Sequence, residues 1–162
     1  MAITQNYLQG PGLFNTGDAM AMFRHLQNKW VSFYRNPTEE GLIDTLFPMN
    51  HLREWIVREE YSDEQASIQA KNLDDQLWAM EEYKIVNSLC NHTKHYKPDL
   101  KRNPEYVTTE LKGARAGLMK CGDPLDVTHF MVDGRDIRDI FIEVYRIYYA
   151  FFEPADENDY PA

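Results

Sequence analysis

At 162 residues and 43% hydrophobic content, the chain suits one domain with a real core, and no low-complexity stretch argues for disorder. No apolar run reaches transmembrane length, and the start "MAITQNYLQG" lacks the basic and apolar segments of a secretory leader, so a cytoplasmic protein is expected. The net charge of −9 disfavours non-specific nucleic-acid binding, and two cysteines, Cys90 and Cys121, are too few for a disulfide framework.

Residues 1–15, with Gly10-Pro11-Gly12, read as an irregular arm. Thr16 or Asp18 then caps a first helix, on which Ala19, Phe23, Leu26, Trp30 and Phe33 recur at helical spacing. Asn36-Pro37 ends it, because the residue before a proline avoids helical dihedrals. Thr38 caps a second helix, with Glu39 and Glu40 at its positive end; it runs to about Tyr61 with a break near Pro48. Ser62-x-x-Gln65 is a capping box opening a third helix that continues to Tyr96, before Pro98 and Asn103-Pro104.

The period then changes. "YVTTELK" (106–112) and "LDVTHFMVD" (125–133) alternate and are β-branched, with glycine-rich turns between them. They predict a small antiparallel hairpin, or a three-stranded meander if "ARAGLMK" adds a strand. Asp133-Gly134 closes it, a last helix runs from Arg135 to Phe152, and an acidic tail (153–162) follows. The expected fold is mainly α. A four-helix bundle-like core buries Trp30, Trp55, Leu73, Leu77, Leu89 and Ile140, with the hairpin before the last helix.

Charge is uneven along this frame. From Lys84 to Lys120 there are eight basic residues against three acids, giving +5 and leaving −14 elsewhere. An acidic protein with one basic segment has a preferred side for a protein or anionic partner. Within the segment, "NSLCNHTKHYKP" (87–98) carries the clearest chemical question. Helical geometry puts Lys84, Asn91 and His95 in one narrow arc, with Leu89 and Cys90 on the opposite, core-facing side. The simplest reading is a solvated helix face with cations at its negative end.

His92-x-x-His95 places two imidazoles one turn apart, but a metal site needs a third ligand, and no glutamate stands three before any histidine. No metal is therefore expected. Nor is a cofactor: there is no Walker loop and no Gly-x-Gly-x-x-Gly. No serine sits in a nucleophile elbow, and Cys90 faces the core as a packed thiol.

"HLREWI" (51–56), "NHTKH" (91–95) and "VDGRDIRDIFIEVYRIYYAFF" (132–152) together resemble small, mostly uncharacterised helical proteins of bacterial origin. These carry an HLxxW segment, an NxxKH segment and a closing helix after a short hairpin. They in turn resemble HEPN domains, helical modules often used as RNases in bacterial defence. That family's catalytic motif has an arginine separated from a histidine by four to six residues. Here those positions are Ser88, Leu89 and Cys90 for His95, and Ile85, Val86 and Asn87 for His92. His25, His51 and His129 also lack the arginine. The resemblance therefore implies the fold without the RNase site.

Two functions follow. One is a non-enzymatic interaction protein, defence- or phage-related, whose basic face (Lys84, Asn91, Lys94, His95, Lys97, Lys101 and Arg102) binds a partner. The other is an HEPN-like RNase or nucleotide-acting enzyme, with His95 as general acid/base, Lys94 offsetting phosphate charge and Asn91 beside them. A homodimer is also expected. On the last helix Ile142, Tyr145, Tyr149 and Phe152 extend the apolar stripe beyond one bundle contact.

Overall fold

The computed structural model describes residues 17–154; the expected arm, the Thr16 cap and all but the first two residues of the tail lie outside them. The described chain is mainly helical, with a small antiparallel sheet before the last helix.

Helix α1 (Ala19–Arg35) starts at Asp18, whose carboxylate accepts from the Ala21 N–H at 2.7 Å. All five stripe residues, Ala19, Phe23, Leu26, Trp30 and Phe33, are buried. Helix α2 (Glu39–Arg58) starts at Thr38 as expected, but it runs through Pro48 without a break and stops short of Tyr61. Proline removes only the N–H that would reach the carbonyl of Asp44. The turn around it is fixed by burial of Leu46, Met49 and Leu52. Two buried tyrosines brace it further, Tyr148 donating to the Met49 carbonyl at 2.9 Å and Tyr83 to the Asn50 carbonyl at 3.0 Å.

The expected long third helix is two helices, α3 (Glu64–Ala79) and α4 (Glu81–Lys94), separated by an extended Met80. The reason lies in the apolar phase. Ala70, Leu73 and Leu77 form the buried stripe of α3, and its continuation would place Lys84 in the core. The residues actually buried on α4 are Tyr83, Ile85, Val86, Ser88 and Cys90, on two sides of the helix, while Lys84 is exposed. Breaking at Met80 lets α4 bury both sides while Lys84 stays in water. Asp63, not Ser62, supplies the α3 cap, accepting from the Gln65 N–H at 3.2 Å.

Strand β1 (Thr108–Lys112) pairs antiparallel with β2 (Thr128–Val132), Glu110 opposite Phe130. A third strand, β3, is only Arg135–Asp136, joined to β2 by the Asp133-Gly134 turn. Both turn residues have positive φ, 48° and 79°, the pattern of a tight two-residue hairpin. "ARAGLMK" is therefore not a strand, and the last helix, α5 (Ile137–Phe152), begins two residues later than expected.

Buried side chains from all five helices and β2 form one connected cluster. Trp30, Leu73, Leu77 and Ile140 are inside it, while Trp55 and Leu89 are half-buried against it. Much of the surplus aromatic surface of α5 meets α1. Phe23 stacks on Phe152 at 4.6 Å and on Tyr145 at 6.1 Å, leaving Tyr149 46% exposed. No helix among the described residues is long and apolar enough to cross a membrane.

Candidate functional site

The "NHTKH" segment closes α4, and its side chains divide between two tasks. The helix stops at Lys94 and His95 adopts an extended cap conformation, so the following chain folds back over the helix end. Asp99 nucleates that return. Its carbonyl accepts from the Asn103 N–H at 2.8 Å, and its carboxylate accepts from the Lys101 N–H at 3.0 Å. Three α4 residues then hold the loop. Ser88 donates to the Pro104 carbonyl at 2.6 Å and Asn91 to the Asn103 side-chain oxygen at 2.7 Å. The His92 Nε2 lies 2.9 Å from the Asn103 carbonyl, which assigns the ring proton to Nε2.

Asn91 is thus half-buried under the loop, not aligned with an exposed His95, and Leu89 is only half-buried while Cys90 is fully buried. His95 leaves the helical arc because the helix ends at Lys94, and Asn91 is covered by the returning loop. His95 lies beyond the end of α4, and among the described residues no three His, Cys, Asp or Glu side chains are placed to hold a metal ion.

What faces water is a cationic strip. Lys84, Lys94, His95, Lys97, Lys101 and Arg102 are exposed. Arg102 lies 3.8 Å from Asp99, whereas the four lysines form no ion pair among the described residues. Tyr96 is 97% exposed in their midst, with the Lys97 ammonium 6.0 Å from its ring centre, and Leu100 is exposed nearby in the chain.

Two further clusters escape the sequence reading. Cys90 Sγ lies 3.9 Å from His51 Nε2. Burial pushes the thiol up and the imidazole down, so both are held neutral rather than as a reactive thiolate–imidazolium pair. Thirty-nine positions separate these two residues, and no local signal joins them.

The second cluster is fully buried and charged. Arg138 grips both oxygens of Asp123 at 2.7 and 2.9 Å, reaches Asp136 at 3.4 Å and donates to the Tyr34 carbonyl at 3.2 Å. His129 Nδ1 lies 3.3 Å from Asp136. These four side chains are at most 2% exposed. The Arg138 hydrogen bonds hold the Asp123 carboxyl below the usual carboxylate range. One sequence signal was available: Arg138 sits three before Phe141, on the core stripe of α5, where a cation requires buried partners. Its guanidinium and carboxylates are engaged with one another, so the cluster organises loops.

Set against known protein families, curated proteins and solved structures, the chain matches none of them.

Proposed function

We propose that this chain is a non-enzymatic interaction module that offers a pre-shaped basic loop, residues 94–102, to a protein partner with an acidic surface. The observation that carries the reading is Tyr96, 97% exposed between Lys94 and Lys97 on a segment tied back to α4 at Asn103 and Pro104. An exposed tyrosine supplies contact area at low entropic cost, and a loop anchored at both ends loses less freedom on binding. The unpaired lysines set the sign of the partner and steer it toward this side of an otherwise acidic molecule.

The nuclease alternative has less support. His95 is exposed with no hydrogen-bond partner for its ring among the described residues, and the amide of Asn91 is committed to Asn103. A general acid/base needs an orienting partner and a reacting group within reach.

Titrating the isotope-labelled chain with deca-glutamate and, separately, with a short oligouridylate tests the reading by amide shifts. Deca-glutamate should shift residues 94–102, weaken with salt, and lose its effect in a Lys94→Glu/Lys97→Glu variant. Absence of shifts in that loop overturns the proposal. Oligouridylate cleavage that disappears in His95→Ala would put the nuclease in its place.

A homodimer through α5 belongs to the same reading, and Tyr149 is the centre of the surface that α1 leaves to it. Light scattering at micromolar concentration should give twice 19.1 kDa, falling to 19.1 kDa in Tyr149→Glu. A wild-type monomer removes the dimer without touching the loop.

A further inference from the structure

A cavity of about 560 Å³ opens where the last turns of α1, the start of α5 and the turn 120–123 meet. Small-molecule sites commonly span roughly 300–1,000 Å³. Trp30, Val31 and Tyr34 from α1 and Ile142 from α5 make its apolar wall. That wall is held in place from behind. Trp30 meets Tyr34 edge-on at 5.3 Å and Phe141 at 6.1 Å. The Arg138 guanidinium sits over the Tyr34 ring at 5.7 Å while bonding the Tyr34 carbonyl. A ligand entering here meets aromatic surface that needs little further ordering.

Two charged residues line the space, and they are not equivalent. The Asp123 carboxylate is occupied by Arg138 on both oxygens and also accepts from the Lys120 N–H at 2.8 Å, with its side chain 2% exposed. Its charge is compensated from behind the wall. Arg35 is exposed and forms no ion pair among the described residues. The cavity therefore combines a fixed aromatic wall with one uncompensated guanidinium.

We propose that this cavity binds a small aromatic acid, its ring packed on Val31, Tyr34 and Ile142 and its carboxylate paired with Arg35. Guanidinium is the side-chain group best matched to a carboxylate, through two parallel N–H donors. If Arg35 were only a solvated cation closing α1, the cavity would show no preference for charge. That difference is measurable and independent of the basic loop.

The test uses a matched pair of probes on the full chain, 2-naphthoate and its neutral amide, 2-naphthamide. Naphthoate should give saturable shifts at the Gly122 and Asp123 amides and at the Trp30 indole. It should bind about threefold tighter than the amide, the difference expected of one exposed ion pair. Arg35→Gln should equalise the two affinities, and Val31→Trp should block both. Val31 is 39% exposed and Arg35 is exposed, so neither change threatens folding. Alkylation gives a second readout. Exposed Cys121 lines the cavity while Cys90 is buried, so naphthoate should slow labelling at Cys121 alone. No saturable shift at millimolar probe, equal affinity for acid and amide, or a preference that survives Arg35→Gln would each overturn the proposal.

Discussion

The end of α4 and the start of α5 each hold a loop with polar side chains, but in opposite electrostatic regimes. At α4, Ser88, Asn91 and His92 meet Asn103 and Pro104 at the edge of the core, with Asn91 and His92 half-buried. At α5, Arg138, Asp123, Asp136 and His129 meet in the dry interior. A broken bond in the first place leaves an uncharged hydroxyl, amide or carbonyl without its partner. In the second, each lost partner of Arg138 leaves a buried charge behind. The contrast teaches that the cluster with the more suggestive sequence is the weaker structurally, and that the silent one holds the fold.

The largest expected effect is therefore at Arg138. Arg138→Ala strands Asp123 and Asp136, and removing one partner of a buried charge network costs about 3–5 kcal/mol. Against a total stability of roughly 5–15 kcal/mol, that brings the chain near unfolding. Urea denaturation measures it. Adding Asp123→Asn to Arg138→Ala should recover part of the loss, because the stranded charge is then gone. A cost under about 1 kcal/mol would erase the contrast between the two clusters.

The same network sets the acid limb. Hydrogen bonds from Arg138 depress the folded-state pKa of Asp123. Its contribution is complete above the unfolded value of about 4 and is lost as pH falls through the lower folded value. Melting temperature should therefore fall steeply below about pH 4, and Asp123→Asn should flatten that limb. Glu82 is lowered by Arg135 in the same direction. On the alkaline side the sign reverses, because burial raises the Tyr83 hydroxyl to about 12. The neutral phenol is the folded form, so stability falls as pH rises above about 10, the unfolded tyrosine value.

At α4 the expected effect is smaller and local. Asn91→Ala removes the bond to Asn103 and should cost about 1 kcal/mol. Hydrogen exchange separates this from global loss. The Lys101 and Asn103 amides, bonded within the return of the loop, should exchange faster while the α1 and α5 core amides keep their protection. Loss of protection throughout would mean that the latch, too, carries the fold.

Much of the architecture was legible because it is local. The α1 stripe, the Thr38 cap and the Asp133-Gly134 turn each follow from neighbouring residues, and each stands where expected. The break at Met80 was legible in principle, since Lys84 falls on the extended stripe of α3. The continuity of α2 through Pro48 was not, because it depends on Tyr83 and Tyr148 arriving from α4 and α5. The candidate surface shows the same division. Lys94, His95, Lys97, Lys101 and Arg102 are exposed, as expected of a polar helix end. The loop return that captures Asn91 depends on Asp99 and Asn103, which no periodicity connects to α4.

The smallest expected effect sharpens the comparison most. Tyr96 and His95 sit on the loop that the latch holds, yet neither takes part in the latch. Tyr96 is 97% exposed, with the Lys97 ammonium 6.0 Å from its ring centre. Truncating an exposed side chain with no buried contact changes stability by no more than about 0.5 kcal/mol. Tyr96→Ala and His95→Ala should therefore leave the urea midpoint and the Asn103 exchange rate where they are. A residue spent on folding would move both. If Tyr96→Ala cost 1 kcal/mol or more, the ring would be packing against the chain itself, and its exposure could no longer be explained by a partner. If it costs nothing while deca-glutamate binding is lost, the two tasks at the end of α4 are physically separable: Ser88, Asn91 and His92 build the loop, and Tyr96 with its lysines uses it.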